Sequence, residues 1–110
     1  MKKLLLLAMT VVLVFGGVSY EKADKQQRMW ILECQDAVKD RLKDANSAKF
    51  KNVFYSKSGG VHMTCGEVNS KNSFGGYAGN VRFISAGKPD MTFFENEVSD
   101  FQNLWDKFCK

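Results

Sequence analysis

Few side chains in this sequence could do chemistry: three cysteines, Cys34, Cys65 and Cys109, one histidine, His62, and an isolated glutamate, Glu67. A cysteine nucleophile needs a base within hydrogen-bond reach, and His62 is the only histidine available. Val61, Met63 and Cys65 alternate with His62 and Thr64, which reads as a strand. Side chains three apart on a strand point to opposite faces, so a local Cys–His pair is disfavoured. Zinc-type sites need several ligands at recognisable spacing, and the sequence has neither a C-x-x-C nor a second histidine. Glu67 has no acidic neighbour before Asp90, so the spacing supports no paired-carboxylate hydrolase. The expectation is no catalytic set, no metal and no cofactor. A small envelope enzyme using Cys65 or Glu67 is the less favoured alternative.

The glycines of "CGEVNSKNSFGGYAGN", residues 65–80, fit neither G-x-x-x-x-G-K-[ST] nor G-x-G-x-x-G, so no phosphate cradle is read from them. Glycine and asparagine tolerate positive φ, which makes this segment a shaped turn. Loops also carry most binding residues, and Phe74 and Tyr77 beside the glycines are suitable interface anchors. The expected contact surface is the loop from Glu67 to Asn80, with Glu67, Asn69, Asn72, Phe74 and Tyr77 as its binding residues.

These residues have to be positioned by a small domain. Lys2 and Lys3 precede an apolar run from Leu4 to Phe15, followed by Gly16, Gly17, Val18 and Ser19. That is the pattern of a secretory signal, or of an uncleaved N-terminal anchor if the imperfect small-residue exit is not processed. Residues 1–19 are therefore set apart from a single domain at 20–110, and an exported protein of the periplasm or cell envelope is expected. Without Lys2 and Lys3, 14 basic residues face 12 acidic ones, a net charge of +2. Such a balance carries no nucleic-acid footprint.

Residues 21–45 read as an amphipathic helix with Trp30, Cys34, Val38 and Leu42 at i+4 spacing. Residues 46–56 switch to a period of two, with Phe50 and Phe54 expected on one side of a strand. Lys57–Gly60 makes a turn into the strand holding Cys65. A third strand is expected over residues 77–85, with Tyr77, Val81 and Phe83 on one face. The turn at residues 86–90 leads to a short fourth strand over 91–94. Val98, Phe101, Leu104, Trp105 and Phe108 mark a closing helix, and Ser99 with Gln102 resembles a capping box. The fold class is therefore α+β: an N-terminal helix, a small antiparallel meander of three to four strands and a short C-terminal helix, both helices on one sheet face.

About ninety residues bury a modest core, and a covalent staple would help. One disulfide is expected in an oxidising compartment. Cys65–Cys109 is the favoured pair if the last helix packs on the second strand, with Cys34–Cys109 second.

"SAKFKNV" at 47–53, followed by "CGEVNSKNSFGGYAG" at 65–79, resembles a group of small exported proteins of bacteria and their phages whose function is uncharacterised. That group shows Asp-Pro-x-Ser-Ala-x-Phe before the first strand and Cys-Gly-Glu-Val-Asn leading to Gly-Gly-Tyr-x-Gly-Phe. The likeness covers residues 44–85, and Leu104-Trp105 and Cys109 also fit. Ala45 replaces the proline, which removes a forced helix stop, and Asn80 replaces the final phenylalanine. The resemblance implies export and a shared fold. The resulting expectation is a non-enzymatic binding or accessory protein with an envelope protein or surface as its partner. A membrane-tethered, phage-encoded envelope factor is the alternative, touching membrane only through its N-terminal segment.

Overall fold

The computed structural model describes residues 24–72 and 74–110. The residues read as a signal or anchor lie outside that range. Helix α1 covers residues 24–40; it is followed by β1 (Lys49–Ser56), β2 (Met63–Asn69), β3 (Val81–Ser85), β4 (Thr92–Phe94) and α2 (Phe101–Phe108). The strands pair antiparallel in the order β1-β2-β3-β4, so the chain is an α+β meander flanked by two helices. Among the described residues no helix is long and apolar enough to cross a membrane.

The helices do not share a sheet face. Cys34, Ala37 and Val38 of α1 are buried, and Val38 packs with Val68, Phe83 and Phe94 on one side of the sheet. On the other side α2 brings Phe101, Leu104, Trp105 and Phe108 against Met63, Cys65 and Ile84. Successive strand residues face opposite ways, so Cys65 and Ile84 necessarily look away from the face that Val68 and Phe83 present. The structure is a three-layer arrangement with two small cores rather than one larger one.

A bulge in β1 decides which aromatics reach which core. Pairing runs Lys51 to Glu67 and then Phe54 to Cys65, so Asn52 and Val53 together oppose Gly66. Asn52 takes φ +53°, the left-handed region that asparagine tolerates better than most residues. The extra residue reverses the strand's parity. Phe50 and Val53 therefore turn to the α1 side, where Phe50 meets Phe83 edge-on at 5.7 Å. Phe54 turns to the α2 side and meets Trp105 at 6.1 Å. The expected common face for Phe50 and Phe54 is thus corrected. Gly66 is the partner requirement, since a Cβ there would lie 2.9 Å from Val53 Cγ2 and 3.0 Å from its Cα.

Three further boundaries move. Helix α1 stops at residue 40 rather than near 45, and needs no proline to do so. Arg41 donates to the carbonyls of Thr92 at 2.7 Å and Pro89 at 3.2 Å and pairs with Glu97 at 2.6 Å, while Ser47 Oγ donates to the Asp44 carbonyl. These bonds hold the turn that delivers the chain to β1. Strand β3 begins at Val81, and Tyr77 lies before it in the connecting hairpin. The capping box does not form: Asp100 is the N-cap of α2 without a side-chain bond to the helix backbone, and Gln102 donates to Asp106 instead.

The two outer layers are tied down differently. Arg82 of β3 bridges strand to helix: its guanidinium donates to Glu95 at 2.8 Å and Gln102 at 2.9 Å, and it stacks over Trp105 at 5.0 Å. The Arg82 hydrogen bond holds the Glu95 carboxyl below its usual range. Cys65 and Cys109 form a disulfide with Cα atoms 6.0 Å apart, and Ser56 Oγ donates to the Phe108 carbonyl beside it. Cys34 is the free cysteine, buried under α1, where its thiol donates to the Ser85 carbonyl at 3.5 Å.

The bridge spans 44 residues of sequence. Chain-entropy reasoning assigns such a loop about 4 kcal/mol, so the Cys65→Ala/Cys109→Ala protein is expected to lose a substantial part of its unfolding free energy in urea titration. Alkylation followed by mass measurement should find no reactive thiol in the native protein, one after unfolding without reductant and three with it. A second reactive thiol in the unreduced chain would contradict the bridge. Gly66→Ala should cost roughly 1–3 kcal/mol by overpacking against Val53, read from the same titration.

Candidate functional site

The hairpin that links β2 to β3 gathers the exposed aromatic side chains that the sequence singles out. Its first part is strand, not loop. Strand β2 continues through Asn69, which places Glu67 and Asn69 in regular pairing. Glu67 is half-buried, stands between Lys51 and Arg82 in the ladder, and accepts a bond from Asn52 Nδ2 at 3.3 Å. It supports the bulge from within the ladder, so the loop begins after Asn69 and not at Glu67 as expected.

Asparagine side chains build the loop itself. Asn69 Oδ1 accepts from the Gly79 amide at 3.0 Å and so closes the base. Lys71 and Tyr77 form a single bridge above it, and the Lys71 amide donates to Ser47 Oγ at 2.8 Å, tying the base to the α1–β1 connection. At the apex Asn72 Oδ1 accepts from the amides of Phe74 at 3.0 Å and Gly76 at 3.3 Å, while its own amide donates to the Gly76 carbonyl at 2.8 Å. One short side chain thus satisfies two amides that the turn leaves without a ladder partner. Gly75 has φ +82°, with nothing within 4 Å of where a Cβ would stand, so backbone conformation and not crowding calls for glycine.

The rings are displayed, not buried. Phe74 is 96% exposed and Tyr77 41%. Two lysines not foreseen from the sequence converge on Tyr77: Lys49 Nζ lies 4.4 Å and Lys71 Nζ 5.8 Å from the ring centroid. Among the described residues neither lysine forms an ion pair with a carboxylate. The nearby Arg41 and Arg82, in contrast, are engaged by Glu97 and Glu95. Lys71 sits six residues before Tyr77, but Lys49 reaches it only through sheet register, which is why spacing did not reveal the pair. Beneath the hairpin a cleft of about 220 Å³ opens between Leu42, Val68, Ser70, Ala78 and Val81.

The other reactive groups stay apart. His62 is exposed at the opposite end of the sheet, hydrogen-bonded through Nδ1 to the Tyr55 hydroxyl and 6.4 Å from the Trp30 ring. Cys65 is engaged in its disulfide and has no thiolate to offer. Burial pushes the Cys34 thiol up, away from the reactive thiolate. Among the described residues no group of three or more His, Cys, Asp or Glu is placed to hold a metal ion.

Comparison of the chain with protein-family models, with curated proteins and with solved structures finds no match.

Replacing Asn72 by alanine removes the acceptor that pins the apex. Amide hydrogen exchange at Phe74 and Gly76 is expected to accelerate severalfold, with the thermal midpoint nearly unchanged because the apex packs on no core. Unchanged exchange would show that Asn72 does not hold the turn.

Proposed function

We propose that this protein is a small exported binding domain of the cell envelope, non-enzymatic, whose contact surface is the β2–β3 hairpin with Phe74 and Tyr77 at its centre. The observation that carries this reading is Phe74, almost fully exposed on a turn whose backbone is fixed by the Asn72 side chain. Single exposed apolar residues are ordinary on protein surfaces. Here, however, two aromatics stand together on a pre-organised support, which lowers the ordering cost of an encounter.

Export is supported by the N-terminal residue pattern, by the resemblance to exported proteins of bacteria and phages, and by a disulfide that suits an oxidising compartment. The N-terminal segment either leaves by cleavage or stays as a tether. Gln26 and Gln27 lie beside Tyr55, Lys57 and His62, whereas residues 41–43 lie beside the hairpin base, so residue 24 and the hairpin occupy opposite ends of the sheet.

The test is affinity capture from a periplasmic extract with the wild-type protein and a Phe74→Ala/Tyr77→Ala variant. Loss of an envelope component from the variant, with a thermal midpoint within about 2 °C of wild type, is the expected result. A large fall in stability, or capture that ignores both rings, would overturn the reading.

A further inference from the structure

We propose that the hairpin is a wedge for an anionic phospholipid surface, with Phe74 entering the boundary between headgroups and acyl chains and Lys49 and Lys71 meeting the lipid phosphates. This rests on the reading of the hairpin as the contact surface and names its partner.

Three features of the geometry lead there. The apex is a protrusion, not a groove: Phe74 is 96% exposed, and positions 75, 76 and 79 have nothing within 4 Å of a Cβ. A protein partner normally surrounds an aromatic anchor with a ring of side-chain contacts that exclude water, and Gly75 and Gly76, which follow Phe74, bring no side chains to such a ring. A soft lipid interface asks for none.

The second feature is distance. The Lys71–Tyr77 bridge is the last β-bridge before the apex, and beyond it the Asn72 amide still bonds to the Gly76 carbonyl. Phe74 lies three residues beyond it, at most about 10 Å at roughly 3.3 Å per extended residue. That upper limit is of the same order as the roughly 5–10 Å to which interfacial amphipathic helices bury their apolar face. At the rung itself Tyr77, half exposed, has the amphipathic ring that belongs at headgroup level.

Charge is the third. The ammonium groups of Lys49, which pairs with Asn69, and of Lys71 lie 4.4 and 5.8 Å from the Tyr77 ring, without an ion-pair partner among the described residues. Two unneutralised cations one short strand segment behind an exposed phenylalanine complement a layer of phosphates above an apolar interior.

The test uses the full chain carrying Phe74→Trp, mixed with vesicles of phosphatidylcholine alone or with added phosphatidylglycerol, each made with acyl-brominated lipid. The wild-type signal from Trp30 and Trp105 is subtracted. The expected result is quenching of the tryptophan at position 74 on anionic vesicles only, abolished near about 1 M salt, where the screening length falls to about 3 Å. Phe74→Ala should lower partitioning onto anionic vesicles roughly tenfold, and Lys49→Gln/Lys71→Gln roughly thirtyfold. Equal quenching on both vesicle types, or none on either, overturns the lipid proposal. If capture of an envelope protein still depends on Phe74 in that case, the hairpin remains the contact surface with a protein partner. If neither readout depends on Phe74, both proposals fall.

Discussion

Strand β2 is covered on both faces, and nearly every other element exists to cover one of them. Cys65 faces α2 and is bonded to its C-terminal neighbour Cys109, while Val68 faces α1 and packs on Val38. Fewer than ninety described residues thus support two thin cores, each closed by a single helix. Burial scales unfavourably for such small domains. The two layers solve that problem separately: α2, only eight residues long, is held by a disulfide, and α1 by close contact of Cys34, Ala37 and Val38 with the sheet.

The bulge at Asn52–Val53 follows from the same constraint. Without it, every second residue of β1 would face one layer, and the aromatic rings at Phe50 and Phe54 would compete for the same core. One inserted residue sends them to different layers, and the absence of a side chain at Gly66 makes room for Val53 across the ladder. Glu67 and Asn52 are then neighbours by register, which explains a glutamate that looked in the sequence like a loop residue.

Polar side chains do for the turns what burial does for the strands. Arg41 gathers the carbonyls of Pro89 and Thr92, Ser85 bonds to Thr92 at 2.8 Å, and Asn72 organises the β2–β3 apex. The result is a scaffold with two distinct ends. One carries Trp30, Tyr55 and His62 near the start of α1; the other carries the hairpin, whose rings and lysines take no part in either core.

The periodicity of Trp30, Cys34 and Val38, the alternation through β2, and the stripe at Phe101, Leu104, Trp105 and Phe108 were enough to determine the element order and the α+β class. They work because each element must turn an apolar face toward a core, and that face repeats with the element's own period. A turn within residues 67–80 was equally legible, although its first three residues belong to β2, since glycine and asparagine mark backbone that other residues resist. Tertiary structure alone decided that the helices lie on opposite faces, that the bulge separates Phe50 from Phe54, that Cys109 bonds to the favoured Cys65 and not to Cys34, and that Lys49 meets Lys71 at Tyr77. The physical reason is common to all four. Each depends on strand parity and register, and a shift of one residue in pairing reverses which layer a side chain enters while leaving the local pattern unchanged.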